Sequence, residues 1–273
     1  MSNQRTQSGF TDVDHTDAPA NYIQLMDFQH GTAFVQMYKQ HARRLLDVQP
    51  GQHILDAGCG TGEDARELAR LAGPDGHVTG VDISQTMLDE AEQRSQGQSL
   101  PISFRQDDIH QLPFDDGAFD RCYADKTFQH LPDPKRALSE LVRVTRPGGR
   151  LVIIDPDHDT HVLDTPYPDV TRRFFRFRSS GIRQPDIAHR QYAMFREAGL
   201  IDIVVEPLTW TATDYESIRP LSHFIEGMRL AEQHDVVTAE EASQWINALQ
   251  YAINAGRFFH AVTYFITAGR KST

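Results

Sequence analysis

A glycine-rich run that joins an apolar segment to a helical pattern holds the residues best suited to bind a ligand. Ile54-Leu55-Asp56-Ala57 is apolar enough for a buried strand, and Gly58-Cys59-Gly60-Thr61-Gly62 follows it directly. Alternate glycines allow a tight turn and let a ligand approach the backbone. The helix that begins at Glu63 offers unpaired backbone N–H groups to polar ligand atoms. Asp56, at the strand end, can attract a cationic amine directly or through water.

The spacing of this run separates two classes of cofactor. A dinucleotide site has the pattern G-x-G-x-x-G and an acidic residue about 20 positions later, which binds a ribose. Asp82 stands at that distance from Gly62, but the glycines here follow G-x-G-x-G, and Glu63 comes next. A glutamate at this place would repel a pyrophosphate. The turn therefore favours a ligand with an amino-acid end and no phosphate, with a nicotinamide-dependent oxidoreductase as the alternative.

The motifs that follow resemble those of class I S-adenosylmethionine-dependent methyltransferases, in the same order. Val78-Thr79-Gly80-Val81-Asp82-Ile83-Ser84 is similar to the second-strand motif, which implies that Asp82 holds both ribose hydroxyls. Asp107-Asp108-Ile109-His110-Gln111-Leu112-Pro113-Phe114 is similar to the third motif, whose acidic residue reaches the adenine amino group. The resemblance places that role on Asp108, with Asp107 as the alternative.

The resemblance covers about residues 45–155 and is completed by Asp116-Gly117-Ala118-Phe119-Asp120 and Arg146-Pro147-Gly148-Gly149. Within the class, the chain most resembles the ubiquinone/menaquinone-biosynthesis-like branch, which implies metal-independent methylation of a small molecule. A protein that binds S-adenosylmethionine without catalysis is a second alternative. The resemblance implies that S-adenosylmethionine is bound by Tyr22, Arg43, Asp56, Ala57, Gly58, Gly60, Thr61, Gly62, Asp82, Ile83, Met87, Asp107, Asp108, Ile109, Ala124 and Asp125.

Residues after the predicted fourth strand should face the transferred methyl group, because ligands of open α/β sheets lie beyond the carboxyl ends of the strands. His130 can take a proton from a hydroxyl or amine acceptor, or it can pack at a helix start beneath the cofactor. Asp125 is the other candidate for a catalytic base. Its alternative roles are helix capping and pairing with Lys126.

Two later segments bear on the acceptor site. Asp155-Pro156-Asp157-His158-Asp159-Thr160-His161 follows the fifth strand, and it favours a solvated acidic loop over a metal site, so no metal is expected. The arginines of 172–183 favour a solvated face with salt bridges over an anion-binding lid. The residues expected to contact the substrate are Phe128, His158, Phe175, Arg176 and Phe224.

Short apolar runs alternate with helical patterns along the chain. The predicted strands are 53–57, 77–82, 102–106, 119–124, 151–155, 201–209 and 259–268. Helical patterns occupy 21–47, 63–71, 84–94, 134–144, 185–198 and 214–256. This alternation predicts an α/β fold, with a Rossmann-like, seven-stranded, mostly parallel sheet and helices on both faces. An N-terminal helical segment and helical lid insertions would be added to it.

The same pattern suggests how the chain is divided. We expect a flexible tail at 1–20 and a single methyltransferase domain at 21–273. The core of that domain would comprise 45–155, 185–210 and 258–271. Its lid would comprise 156–184 and 214–256.

The composition of the 273 residues limits the partners. A net charge of −11 argues against a broad nucleic-acid surface. No apolar run approaches the ~20 residues that span a bilayer, and the N-terminus lacks the pattern of a signal peptide. The two cysteines do not suggest a disulfide framework. We therefore expect a cytoplasmic monomer or homodimer that acts on a small molecule, with no nucleic-acid or membrane partner.

Overall fold

The computed structural model describes residues 10, 12–16 and 18–273, which are built around one seven-stranded sheet. Its strands are β1 (His53–Ala57), β2 (His77–Asp82), β3 (Ile102–Gln106), β4 (Phe119–Asp125), β5 (Thr145–Leu163), β6 (Ile201–Ala212) and β7 (His260–Arg270). They lie in the order β3-β2-β1-β4-β5-β7-β6. β1 to β5 pair in parallel, whereas β7 is antiparallel to β5 and β6. The predicted α/β fold with a mostly parallel sheet is confirmed.

Helices cover both faces of the sheet. They are α1 (Pro19–His30), α2 (Ala33–Leu46), α3 (Glu63–Ala72), α4 (Gln85–Ser95), α5 (Pro134–Val144), α6 (Pro168–Ser179), α7 (Ile187–Glu197), α8 (Arg219–Ser222), α9 (Phe224–Gln233) and α10 (Ala239–Asn254). The side chains of a strand point alternately to the two faces. Accordingly Ile54 packs in the cluster beside α2 and α3, and Leu55 in the opposite cluster beside α5 and α7. This double burial fixes β1, and with it the turn that follows.

A third apolar cluster joins α6, α9 and α10 beyond the carboxyl end of the sheet. Phe174, Phe224 and Trp245 are almost fully buried in it. The indole N–H of Trp245 donates a hydrogen bond of 2.9 Å to the Thr171 hydroxyl, which satisfies the one polar group of that side chain. The segments that we predicted as lid insertions therefore share a core of their own.

The fifth strand is longer than predicted. We expected it to end at Asp155 because Pro156 cannot donate a backbone hydrogen bond. Instead β5 continues to Leu163, with Pro156 opposite Tyr264 of β7 and a register shift after Asp157. A bulge of this kind lets pairing resume beyond a residue that interrupts it. The beginning of the segment predicted as lid, 156–184, thus belongs to the sheet.

The helical regions at both ends of the chain also differ from the prediction. The single helical pattern at 21–47 is divided at Gly31-Thr32, where the Thr32 hydroxyl caps α2 by accepting from the Val35 N–H at 3.3 Å. The segment 214–256 forms three separate helices. Among the described residues, no helix combines the length and the apolarity that crossing a membrane would require.

The predicted flexible tail is docked wherever it is described. Residues 1–9, 11 and 17 lie outside the described residues. Val13–His15 form a 3-10 turn, and the Val13 side chain is buried. The polar contacts of this turn with α4 join residues 70 to 72 positions apart, so composition alone does not reveal them.

Candidate functional site

The carboxyl ends of β1, β2 and β4 surround a cavity of about 320 Å³, which we call the glycine-turn cavity. Of the predicted cofactor residues, it is lined by Gly58, Gly60, Asp82, Ile83, Met87, Asp107, Asp108, Ile109 and Asp125. A smaller side chamber shares Gly58 and Asp125 with it and is lined by Asp56 and Thr61. The structure therefore brings together most of the residues that the motifs indicated.

Asp82 sits at the centre of the glycine-turn cavity. Its Oδ2 accepts from the Gly60 N–H at 2.8 Å, and its Oδ1 accepts from the Ser84 N–H at 3.0 Å. These bonds hold the carboxylate in place while each oxygen keeps a further lone pair for a ligand hydroxyl. Burial raises the pKa of Asp82, partly offset by the hydrogen bonds from Ser84 and Gly60.

Asp107 and Asp108 both line the same cavity, so both alternatives for the adenine contact stay open. Asp107 is paired with Arg105. Asp108 accepts from the His110 N–H at 2.9 Å and contacts His110 Nδ1 at 2.6 Å. Burial opposes ionisation of Asp108, but the bonds from His110 outweigh it and lower the pKa of that carboxyl.

The surroundings of Asp56, in the side chamber, do not fully compensate the burial of its carboxyl group. Its Oδ2 is buried and finds no hydrogen-bond partner among the described residues, and the same holds for the Thr61 hydroxyl. The nearby ammonium of Lys39 is held by Asp64 at 2.5 Å and by Asp125 at 3.3 Å. Burial raises the pKa of Asp56 well above its usual range, with a further contribution from Asp64. A cationic amine in the chamber would satisfy this carboxylate, so these residues fit the amino-acid end of S-adenosylmethionine.

The two candidate bases lie at the glycine-turn cavity. Both oxygens of Asp125 accept from the Tyr38 hydroxyl, at 3.1 and 2.9 Å, and Lys39 approaches one of them. This carboxylate is therefore one member of a fixed network. Burial lowers the pKa of His130 to about 4, assisted by the charges of Lys126 and Arg183, so the imidazole is neutral at neutral pH. His130 can accept a proton there but is a weak base.

The described N-terminal turn covers the glycine-turn cavity, which the sequence analysis did not foresee. Phe10 and Val13 line the cavity. Asp14 accepts from the Ser84 hydroxyl at 2.6 Å and from the Gln85 and Thr86 N–H groups at 2.9 and 3.1 Å. Burial of Asp14 works against its ionisation, but these bonds together lower its pKa. An acidic residue at a helix N-terminus is favourable in itself.

Replacing Asp14 with alanine should therefore speed the loss of a ligand from this cavity. The change removes the bonds that dock the turn onto α4, and capping interactions of this kind contribute about 1 kcal/mol. We expect S-adenosylhomocysteine to dissociate about fivefold faster, as measured by stopped-flow fluorescence. The control is Asp12→Ala in the same segment, since the one described side chain that pairs with the Asp12 carboxylate is the exposed His15. Equal dissociation rates in the two variants would contradict the docking role.

A second cavity of about 190 Å³ lies along the carboxyl-terminal part of β5, under α6, α8 and α9, and we call it the aromatic cavity. Three predicted substrate residues line it, namely His158, Phe175 and Phe224. Gln29 lines both cavities. The Gln129 side chain, in the wall of the glycine-turn cavity, contacts His158 at 3.0 Å. The two cavities are therefore neighbours.

The structure corrects two of the predicted substrate residues. Phe128 is fully buried in the apolar cluster around Leu55 and lines neither cavity. Arg176 is exposed on α6, whereas Arg178, two residues later, points into the aromatic cavity. A helix advances about 100° per residue, so a shift of two positions moves a side chain to another face. The sequence alone did not show which arginine faces inward.

Five predicted cofactor residues line neither cavity nor the side chamber. Ala57 and Ala124 are fully buried in the cluster beside Leu55. Gly62 has a φ of 75°, and a Cβ there would meet the Phe104 ring at 2.8 Å, so it serves packing. The other two, Arg43 and Tyr22, contact residues that do line a cavity. The guanidinium of Arg43 lies 3.5 Å from the Asp64 carboxylate, and the ring centroids of Tyr22 and Phe10 are 4.9 Å apart.

The predicted solvated loop after β5 is also corrected. Asp155 and Asp157 are fully buried on the strand. Asp155 accepts from the Gln191 side chain at 2.8 Å, and Asp157 contacts His189 Nδ1 at 2.5 Å. Within residues 10, 12–16 and 18–273, no cluster of three His, Cys, Asp or Glu side chains could hold a metal ion.

Comparisons with known proteins bear on what these cavities bind. A family model described as a methyltransferase domain matches residues 55–153. The chain is 35% identical over 219 residues to the O-methyltransferase cnsE of Penicillium expansum, which covers 76% of this chain and 72% of that protein. It is 30% identical over 192 residues to demethylmenaquinone methyltransferase of Geobacillus kaustophilus, which covers 63% of this chain and 81% of that protein. The fold is shared with a solved structure of Haemonchus contortus phosphoethanolamine N-methyltransferase 2, with a TM-score of 0.63 at 20% sequence identity. The match covers 97% of this chain and 60% of the chain in that structure.

Proposed function

Because this chain belongs to the class I S-adenosylmethionine-dependent methyltransferases of the small-molecule branch, we propose that it binds its cofactor and its acceptor in the two neighbouring cavities. The cofactor would occupy the glycine-turn cavity, and the acceptor the aromatic cavity. The observation that carries this assignment is the unpartnered Asp56 carboxylate beside the glycine turn, which matches the cationic end of the cofactor.

Different acidic residues would bind different parts of the cofactor. Asp82 would accept from the ribose hydroxyls, Asp56 would pair with the amine, and Asp107 or Asp108 would accept from the adenine amino group. S-adenosylmethionine supplies an activated methyl group on a positively charged sulfur. The protein positions the acceptor for attack, and such orientation alone accounts for a large part of a rate enhancement.

We infer that the acceptor atom is an oxygen. The chain is similar to proteins named O-methyltransferases. The aromatic cavity is lined mainly by apolar and aromatic side chains, which suits a planar hydroxylated compound. The lid segments 156–184 and 214–256 would shape this site, because α6, α8 and α9 supply much of its wall.

Replacing Phe175 with alanine tests the assignment of the acceptor site. With a panel of hydroxylated aromatic compounds, we expect kcat/KM for the acceptor to fall about tenfold or more, because an aromatic wall is lost. Affinity for S-adenosylhomocysteine should stay within about twofold, as measured by calorimetry. The product S-adenosylhomocysteine is the readout of turnover.

The matched control is Phe174→Ala on the same helix. Phe174 is buried in the same apolar cluster but does not line the aromatic cavity. Both substitutions destabilise the lid by a similar amount, on the order of 3–5 kcal/mol. Equal losses of acceptor use in the two variants would assign α6 a purely structural role.

We also propose a partner class, a location and an oligomeric state for the protein. The net charge of −11 supports a small-molecule partner rather than a nucleic acid. A cytoplasmic location and a monomeric or homodimeric state stay predictions. Gel filtration with light scattering would decide the oligomeric state.

A further inference from the structure

Arg178 is a cation without a counter-ion in the wall of the aromatic cavity. No carboxylate lies within ion-pair distance of it among the described residues, whereas Arg172 and Arg173 on the same helix pair with Asp169 and Glu241. The guanidinium of Arg178 donates to the Ser222 carbonyl and lies over the rings of Phe174 and Phe224, at 5.7 and 5.4 Å. Burial lowers the pKa of Arg178 to about 10, so it is charged at neutral pH.

The rest of this cavity wall, as far as the structure describes the chain, supplies no negative charge. None of the described residues in its lining is an aspartate or glutamate, although the full chain has 38 of them. A buried charge without a partner costs several kcal/mol. Arginine also has the geometry for binding oxyanions. Arg178 is therefore suited to bind an anionic group of a ligand in this cavity.

Three histidines in the same wall form a hydrogen-bonded chain. His158 Nδ1 lies 3.4 Å from His161 Nε2, and His161 Nδ1 lies 3.0 Å from His260 Nε2. At the far end, His158 Nε2 lies 3.0 Å from Gln129 Oε1. His161 stacks on Phe175 at 4.6 Å, and His260 packs against Phe224 at 5.1 Å, so the chain runs along the cavity wall.

The donor and acceptor roles along this row of histidines follow from its end at Gln129. The Gln129 side-chain amide donates to the Lys126 carbonyl at 3.2 Å, which leaves Oε1 to accept a proton from His158 Nε2. His158 Nδ1 then accepts from His161, and His161 Nδ1 accepts from His260. His260 Nδ1 is left as a lone pair, and none of the hydrogen bonds of the described residues involves it. His260 and Arg178 both contact the Phe224 ring, and both line the aromatic cavity.

We propose that the acceptor is an acidic hydroxyl compound, a phenol or an enol, which is bound as its oxyanion to Arg178 after His260 Nδ1 takes its proton. This inference rests on the proposed function and specifies its substrate class and its base. The acceptor O–H bond breaks and its proton forms a bond with His260 Nδ1. The oxygen then bonds to the methyl carbon while the carbon–sulfur bond breaks, and that electron pair stays on sulfur as a neutral thioether.

The charges around the site are consistent with this step. Burial lowers the pKa of His260 to about 4, with a further contribution from Arg178, so His260 is neutral but, like His130, a weak base before an anion is bound. An oxyanion on Arg178 cancels the repulsion from that arginine, so forming the anion makes His260 a stronger base. The titratable and charged groups that surround the site are His130, His158, His161, Arg178, Tyr215, His260 and Tyr264.

The test uses 4-nitrophenol as the probe, because its phenolate absorbs visible light and its ionisation can be followed directly. The protein is first saturated with S-adenosylhomocysteine, and the probe is then titrated at several pH values. In the unmodified protein we expect bound phenolate at a pH below the range in which the free probe ionises. In Arg178→Gln the phenolate should bind at least about tenfold more weakly.

Two further variants make the result specific. Arg176→Gln removes a charge from the exposed face of α6 and should leave phenolate binding unchanged. His260→Phe keeps the ring contact with Phe224 and removes the lone pair. It should lose phenolate formation at low pH but bind the probe normally at alkaline pH, where the phenolate is already present. A loss of packing alone would weaken binding at every pH.

Equal binding in Arg178→Gln and Arg176→Gln would overturn the proposal, and so would failure of the unmodified protein to bind the phenolate at millimolar concentration. A pH-independent loss in His260→Phe would remove the base role. Calorimetry with S-adenosylhomocysteine keeps the two hypotheses apart. A protein that does not bind it fails the proposed function, whereas one that binds it and ignores the phenolate fails only this inference.

Discussion

Replacement of Asp82 by alanine should weaken S-adenosylmethionine binding about 10- to 100-fold and leave the fold intact. Charge-assisted hydrogen bonds from the ribose hydroxyls to this carboxylate would contribute roughly 1.5–3 kcal/mol. Asp82 is preorganised for that role by the Gly60 and Ser84 N–H groups, which donate to its two oxygens. Calorimetric titration with the cofactor measures the effect.

The control for this substitution is Asp89→Ala on the exposed side of the neighbouring helix α4, where the carboxylate contacts only Gln85. It removes the same charge from the same part of the chain without touching the cavity. Circular dichroism should give matching spectra for both variants. An unchanged affinity in Asp82→Ala would rule out the ribose assignment.

Replacement of Lys39 by methionine should destabilise the fold by about 3–5 kcal/mol, because it leaves buried carboxylates without their partner. Lys39 joins Asp64 to Asp125 beneath the side chamber, and all three side chains are buried. Urea unfolding followed by fluorescence gives the free energy of unfolding. Lys135→Met is the control, since its pair with Glu197 is exposed and should contribute less than about 1 kcal/mol.

The contribution of Lys39 to the free energy of unfolding should depend on pH in a defined way. Burial alone would lower the pKa of this ammonium, but the attraction of Asp64 and Asp125 outweighs it and raises the pKa. A raised pKa means that the stabilisation is fully present at neutral pH and is lost only at strongly alkaline pH. A destabilisation of Lys39→Met similar to that of Lys135→Met would show that the network is not coupled to folding.

The parts of the site that lie on consecutive residues could be predicted from the sequence. The turn from Asp56 to Gly60 and the strand end at Asp82 are local patterns. The sheet places them together because parallel strands end at a common edge. The mostly parallel sheet likewise follows from alternating apolar and helical segments. These features depend on backbone geometry and on burial, and both produce a periodic spacing of apolar residues along the sequence.

The acceptor site could be predicted only in outline. His260 lies 99 positions from His161 and contacts it only through the antiparallel pairing of β7 with the extended β5. Arg176 and Arg178 differ only in the face of α6 they occupy, and the packing of α9 against α6 decides that. Phe128 was expected at the substrate, but it is buried and its neighbour Gln129 lines the glycine-turn cavity instead. Asp155 orients the 3-10 turn that holds both residues by accepting from the Gln129 N–H at 3.1 Å. Such contacts between distant segments leave no local pattern.

The docking of Val13–His15 on α4 also has a kinetic consequence for turnover. Phe10 and Val13 line the proposed cofactor cavity, while Asp14 caps the first turn of α4. Departure of the spent cofactor would then require this cap to open, and the cap contributes only about 1 kcal/mol. Such an opening would be a local event in the segment around Val13–His15, which need not disturb the sheet or the lid. The protein could therefore renew its cofactor after each reaction while the acceptor cavity stays assembled.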